Sequence, residues 1–211
     1  VRRVCTNCVI APIAALVALA GSAPALGAEY EMVLIEPWNT SYSLAVSRVS
    51  GLNNLNQVTG CATPLSGSCS FLWTLESGKV QSDFAGQIND AGVMVASNYI
   101  RWPDGTLQEM DGQMNGAADI NNSNVVAGSS GGVFTCTSHG SREATVWTAE
   151  GGTVLVAQEL GVFAADQAWA INDNNVIVGV RSSTGRCGDR KAFYYDLQTD
   201  EYVDLHTVLV G

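Results

Sequence analysis

Few residues of this chain have the type and spacing for covalent chemistry. Gly128-Ser129-Ser130-Gly131-Gly132 has the Gly-x-Ser-x-Gly spacing of a nucleophile elbow, and His206 lies downstream as a base. An elbow needs a strand before the serine and a helix after it, so that the hydroxyl is strained and exposed. The residues that follow, Val133-Phe134-Thr135-Cys136, predict no helix. A glycosidase would instead need two carboxylates facing one sugar. Asp104, Glu109, Asp111, Asp166 and Asp189 are available, but no pair stands apart from a solvated acidic surface. His139 and His206 are the only histidines and cannot make a zinc site alone. Cys5-x-x-Cys8 has redox or metal spacing. Asp119-x-Asn121-x-Ser123 alternates oxygens as a calcium loop does, without the bidentate Glu that closes one. No residue is therefore assigned as catalytic, cofactor-binding or metal-ligating, with calcium as the alternative at the Asn/Asp turns.

The elements that would position these residues follow from composition and pattern. The chain has 211 residues, is 46% hydrophobic and 14% charged, and carries a net charge of −10. That apolar content is too high for a disordered acidic tail. The acidic balance argues against nucleic acid and anionic membrane surfaces, which select for clustered Lys and Arg. The length fits one domain, or at most two small ones.

Residues 1–28 read as a secretory signal peptide: Arg2 and Arg3, the apolar run Val9 to Ala20, then small residues ending at Ala28 before Glu29. The run is shorter than the about 20 residues of a membrane-spanning helix, and Pro12 and Pro24 interrupt it. The expected location is extracellular or periplasmic, by the Sec or the twin-arginine route, with no membrane span in the mature chain. Export places Cys5 and Cys8 in the segment to be removed. It also turns Cys61, Cys69, Cys136 and Cys187 into disulfide candidates.

The remaining chain repeats one pattern four times. A small residue, two variable positions, Ile or Leu and then Asn recur as Val49 to Asn53, Ala85 to Asn89, Ala117 to Asn121 and Ala168 to Asn172. Each is followed by a polar turn and an apolar run, for example Val125-Val126-Ala127-Gly128 and Val176-Ile177-Val178-Gly179. An aromatic strand comes next, containing Trp73, Trp102, Trp147 or Tyr195, then a Gly or Asp turn and a closing strand such as Tyr202 to Leu205. Short β-branched and aromatic runs between Gly/Asn/Asp turns are hairpins. The Asn-rich turns hold residues that tolerate φ > 0 in two-residue hairpin loops. The once-per-unit aromatics are expected in the core between units, with stacking platforms for sugars as the alternative. Trp38 and Tyr42 lie outside the repeat and are less constrained.

Each unit is thus four short antiparallel strands, the size of one propeller blade. The expected fold is an all-β, antiparallel, β-propeller-like repeat of about four blades. Domain 29–211 divides into units at approximately 44–84, 85–116, 117–165 and 166–211. Tyr30 to Ile35 reads as an extra strand with no repeat of its own. The ring is then either an open arc that assembles with itself through its end strands, or a piece of a longer array.

The motif Ala168 to Gly179, with Ala192-Phe193-Tyr194-Tyr195 and Asp204-Leu205, resembles the HAF-type repeat of extracellular bacterial proteins. The resemblance extends over nearly all of residues 30–211. It implies a secreted propeller-like β fold with no generally assigned activity, and it brings no catalytic residues. The His of His-Ala-Phe is absent, since Glu143 precedes Ala144 and Lys191 precedes Ala192.

Connections between the second and third strands vary most, and equivalent loops in a repeat emerge on one face. All four remaining cysteines lie there. Cys61 and Cys69 bracket one loop, while Cys136 and Cys187 occupy equivalent loops of consecutive units, so the expected pairs are Cys61–Cys69 and Cys136–Cys187. The functional expectation is a non-catalytic module for extracellular binding or surface scaffolding, its ligand a glycan or a protein. The alternative is a secreted esterase- or glycosidase-like hydrolase on the long-loop face, with Ser130 and His206 as candidates.

Overall fold

The computed structural model describes residues 33–36, 47–62, 69–111, 113–131, 143–156, 167–182 and 190–208. The chain divides into two compact units, Val1–Glu36 and Pro37–Gly211. In the first, residues 33–36 carry no regular structure. Val33, Leu34 and Ile35, the described part of the strand expected over Tyr30 to Ile35, are therefore not in a strand, and residues 30–32 lie outside the described residues.

The second unit holds four antiparallel sheets of four strands, each sheet a simple meander. The first contains β1 (Ser47–Leu52), β2 (Val58–Ala62), β3 (Ser70–Thr74) and β4 (Gly78–Gln81). The second contains β5 (Gln87–Ile88), β6 (Met94–Ala96), β7 (Tyr99–Arg101) and β8 (Leu107–Glu109). The third is built from β9 (Gly116–Ile120), β10 (Val126–Ser130), β11 (Glu143–Thr148) and β12 (Gly152–Leu155). The fourth comprises β13 (Gln167–Ile171), β14 (Val176–Ser182), β15 (Arg190–Asp196) and β16 (Glu201–Asp204). One helical turn, α1 (Leu205–Val208), ends the described chain. It begins at Leu205, so the last strand stops one residue short of its expected end. The Asp204 carboxylate accepts from His206 N at 2.9 Å and turns the backbone out of the sheet.

Local chemistry explains the meander. Each Asn turn closes a three-residue loop: Asn53 N donates to Gln57 O at 3.2 Å, Asn121 N to Val125 O at 3.1 Å and Asn172 N to Val176 O at 3.1 Å. The last loop residue is left-handed, with φ of 58° at Asn56, 77° at Gly92, 60° at Asn124 and 59° at Asn175. Only one residue per turn needs positive φ, so these are three-residue loops with a terminal bulge in place of the expected two-residue ones. Asn and Gly are the types that reach this region at low cost.

The first and second strands of the first, third and fourth sheets are offset by a β-bulge, as between Val49 and Gly51 and between Ala168 and Ala170. The bulge pushes a carbonyl over the second strand. A Cβ at Gly179 would overlap Gln167 O and stand 2.7 Å from the Phe193 ring, and one at Gly60 would meet Arg48 O and the Phe71 ring in the same way. The Gly of the Val-Gly motif is a packing requirement.

The apolar cores lie between consecutive sheets. Val93, Val95, Ile100, Met110 and Met114 meet Ile120, Val126 and Trp147 in one cluster. Ala127, Ala144, Val146 and Val156 meet Ala168, Ile171, Ile177 and Phe193 in the other. Strand register revises the aromatic series. Trp73 pairs with Val58, Trp147 with Val126 and Tyr195 with Ile177, but the equivalent partner of Met94 is Arg101. Trp102 sits one residue beyond the series, packed against the first cluster with its indole N–H on Gln108 Oε1 at 3.2 Å. Arg101 spends its register position on an ion pair with Asp83 at 3.1 Å.

Candidate functional site

The most ordered polar constellation runs along the four Asn turns. In each anchor the side-chain oxygen folds onto its own loop. Asn121 Oδ1 accepts from Ser123 N and Val125 N at 3.0 Å, and Asn172 Oδ1 from Asn174 N at 3.0 Å and Val176 N at 2.9 Å. The amide nitrogen instead reaches the next unit. Asn53 Nδ2 donates to Asn89 O at 2.9 Å, Asn89 Nδ2 to Asn121 O at 3.0 Å, and Asn121 Nδ2 to Asn172 O at 3.0 Å. A second acceptor for this amide is the left-handed Asn of the next turn, Asn124 Oδ1 for Asn89 and Asn175 Oδ1 for Asn121, both at 2.8 Å. Gly92 offers no such oxygen, and Asn53 turns to Gln57 Oε1 of its own unit at 2.7 Å.

A second row lies one residue further on, where Asn and Asp alternate as Asn54, Asp90, Asn122 and Asp173. The first three main-chain N–H groups of this row each donate to the next side chain at 2.8 Å: Asn54 N to Asp90 Oδ1, Asp90 N to Asn122 Oδ1 and Asn122 N to Asp173 Oδ1. The amides also brace the carboxylates. Asp90 Oδ2 accepts from Asn54 Nδ2 at 2.9 Å and from Asn122 Nδ2 at 3.0 Å, and Asp173 Oδ2 accepts from Asn122 Nδ2 at 3.0 Å. These bonds favour the charged form, so the Asp90 carboxyl lies below the ordinary carboxylate range, with the Asn54 side chain the largest cause.

A groove of ≈ 220 Å³ follows the two rows and takes lining residues from all four units, among them Leu52, Gln87, Asp119 and Ile171. Asp119 is its distinctive member. Its carboxylate accepts from Ile120 N at 2.9 Å and from Ile171 N of the next unit at 3.0 Å. Burial outweighs those two bonds and raises its pKa. Gly51, Gln87 and Ala170 hold the equivalent positions in the other units, so the third unit alone has a carboxylate there.

Of the oxygens weighed above as calcium ligands, those of the Asp119 carboxylate and Asn121 Oδ1 are turned onto main-chain N–H groups. Among the described residues no group of three or more His, Cys, Asp or Glu is gathered that could hold a metal ion. Ser130 ends β10, opposite Glu143 in the third sheet, while His206 is exposed in α1 after the fourth sheet. No hydrogen bond between the two is present among the described residues. Cys61 and Cys69 form a disulfide across the β2–β3 connection. Cys136, Cys187, Cys5, Cys8, Trp38, Tyr42, His139, Asp166, Asp189 and the signal-peptide segment lie outside the described residues. Trp147 is buried, and Trp102 and Tyr195 pack against the two clusters. No described helix is long and apolar enough to cross a membrane.

The sequence reading identified the anchors as turn residues but missed the links from unit to unit. A signal was present, since the residue after each anchor alternates between an amide that donates and a carboxylate that accepts. Comparison with protein-family models, with curated proteins and with solved structures returned no match.

Proposed function

We propose that the chain is an exported, propeller-like repeat module of the HAF type, without catalysis, that serves extracellular binding or surface scaffolding. The observation that carries this reading is the double row of Asn and Asp bonds. The side chains most able to do chemistry are occupied in holding one unit to the next, which is what a scaffold needs. The first strands of successive sheets lie beside one another, β1 by β5, β5 by β9 and β9 by β13, as the inner strands of successive blades would. The Cys61–Cys69 disulfide suits an oxidising compartment.

In a meander the Asn turns and the β2–β3-type connections leave opposite ends of the strands. The turn end is repetitive in sequence, while residues 63–68, 132–142 and 183–189 differ in length and composition. Individual recognition of a glycan or protein therefore belongs to the connection end. The test is a glycan array probed with the purified protein and with a variant in which residues 183–186, 188 and 189 are replaced by Gly and Ser while Cys187 is kept. Retained unfolding behaviour with lost binding is the expected result. A fluorophosphonate probe runs beside it. Labelling that disappears in Ser130→Ala and weakens in His206→Ala would replace the scaffold reading with the hydrolase one.

A further inference from the structure

The four units are not equivalent in what they leave uncovered. Leu52 is 63% exposed, while its register equivalents Ile88, Ile120 and Ile171 are at most 7% exposed. Two of these buried equivalents share an apolar cluster with the unit before them, Ile120 with Val95 and Ile171 with Ala127. The opposite face shows the converse. Val178 is 43% exposed, while its equivalents Thr59, Val95 and Ala127, which the following unit covers, are at most 1% exposed. The first unit thus has an open front face and the fourth an open rear face, each apolar and each of a kind that the internal joints bury.

The polar rows end in the same complementary way. At the fourth turn Asn172 Nδ2 and Asp173 N have no acceptor among the described residues, although the equivalent donors of the other units do. At the first turn Asn53 O, Asn54 Oδ1 and Asn56 Oδ1 are acceptors that no neighbouring unit uses among the described residues. The alternation also continues in phase. Asp90 is braced by amides on both sides, Asp173 by Asn122 on one side, and the next residue the pattern requires is an Asn such as Asn54.

We infer that the rear face of the fourth unit receives the front face of the first unit of a second copy of this chain, head to tail, by repeating the internal joint. Asn172 Nδ2 donates to Asn53 O and Asn56 Oδ1 of the second copy, Asp173 N donates to its Asn54 Oδ1, and its Leu52 covers Val178. The contact is heterologous, joining different surfaces of the two copies, so it propagates or closes a ring of several chains. It does not depend on what the module binds.

The test uses two variants that spoil one face each. Leu52→Glu blocks the front and Val178→Glu the rear, and both positions are exposed, so neither change disturbs a chain on its own. Light scattering is measured on the purified wild type, on each variant, and on their equimolar mixture. The wild type is expected at twice the chain mass or a higher multiple, and each variant at the chain mass. The mixture is expected at twice the chain mass, because the intact rear of Leu52→Glu fits the intact front of Val178→Glu. A wild type that stays at the chain mass at every concentration overturns the inference, as does a mixture that stays monomeric. A monomeric wild type whose unfolding midpoint drops in both variants would show the two faces meeting within one chain, which also overturns it.

Discussion

Asn121 and Asn172 are 51 positions apart in sequence, yet the amide of the first meets the carbonyl of the second at 3.0 Å. The same bond joins Asn89 to Asn121 at 3.0 Å across only 32 positions. Each anchor shapes its own loop with its oxygen and grips the next loop with its nitrogen, so one side chain couples local turn geometry to the assembly of units.

Removing an internal anchor is therefore more costly than removing the last one. Asn121→Ala strands loop N–H groups and breaks two links to the fourth unit, at a cost on the order of 3 kcal/mol. In the Leu52→Glu background, where the joint between copies is blocked, Asn172→Ala loses only the bonds within its own loop, about 1 kcal/mol. Guanidinium unfolding of both variants compares them. Equal losses would mean that the bonds between units contribute nothing.

The substitution of Gly92 for the left-handed Asn predicts a rescue. Gln57→Ala should cost about 1 kcal/mol, because Asn53 Nδ2 loses its second acceptor. Adding Gly92→Asn restores an acceptor at the place where Asn124 and Asn175 provide one. The Cβ enters open space, with Pro103 Cγ the nearest atom at 3.9 Å. A double-mutant cycle should give a favourable coupling of about 1 kcal/mol, and no coupling would refute the equivalence of the turns.

Two carboxylates of the groove titrate in opposite directions from the ordinary value of 3.8. Burial makes native Asp119 hold its proton to higher pH than the unfolded chain does. Its contribution to stability is therefore present at low pH and lost as pH rises through the native value. Asp90, held charged by Asn54, contributes above its unfolded value and loses that contribution as pH falls through the native one. Carboxyl NMR titration should order the midpoints Asp90 < 3.8 < Asp119. The reverse order would contradict the burial argument.

The Cys61–Cys69 bridge closes a short loop, with a sequence separation of 8. Loop-closure entropy for that length gives about 2.5 kcal/mol. Replacing both cysteines by Ser should lower stability by roughly that amount while β2 and β3 remain paired. Amide exchange checks the second half of the statement through Ala62 N, which donates to Cys69 O at 2.8 Å. Loss of protection there would make the bridge responsible for the hairpin itself.

Strand number and order were legible in the sequence because each hairpin is a local event. The Asn turn, the Val-Gly run and the aromatic strand all lie within one unit, and period-2 patterning reads directly onto a meander. Trp102 misled because an aromatic label marks the third strand but not its register, which is set by pairing with Met94 and gave the position to Arg101. The bonds between units were not legible from spacing, since nothing in the anchor motif says whether an Asn amide meets its own loop or another one. The Asn/Asp alternation at 54, 90, 122 and 173 carries that information only once the turns are known to stack. The role of Asp119, a turn residue with calcium as the alternative by sequence, was hidden for the same reason. Its partner, Ile171 N, stands 52 positions away in the next unit.

The anchor bonds between units all lie at the turn end of the strands, and this sets different rules for the two ends of each sheet. At the far end the second and third strands are bridged by as little as Ser97-Asn98 or by as much as the stretch between Ser130 and Glu143. The anchor bonds stay within 2.9–3.0 Å regardless. Doubling the length of such a connection costs only about 0.6 kcal/mol in closure entropy. Engineering therefore meets a repeated spine at one end and a writable margin at the other. New peptide can enter between β10 and β11, or between β14 and β15, without the neighbouring units having to be redesigned.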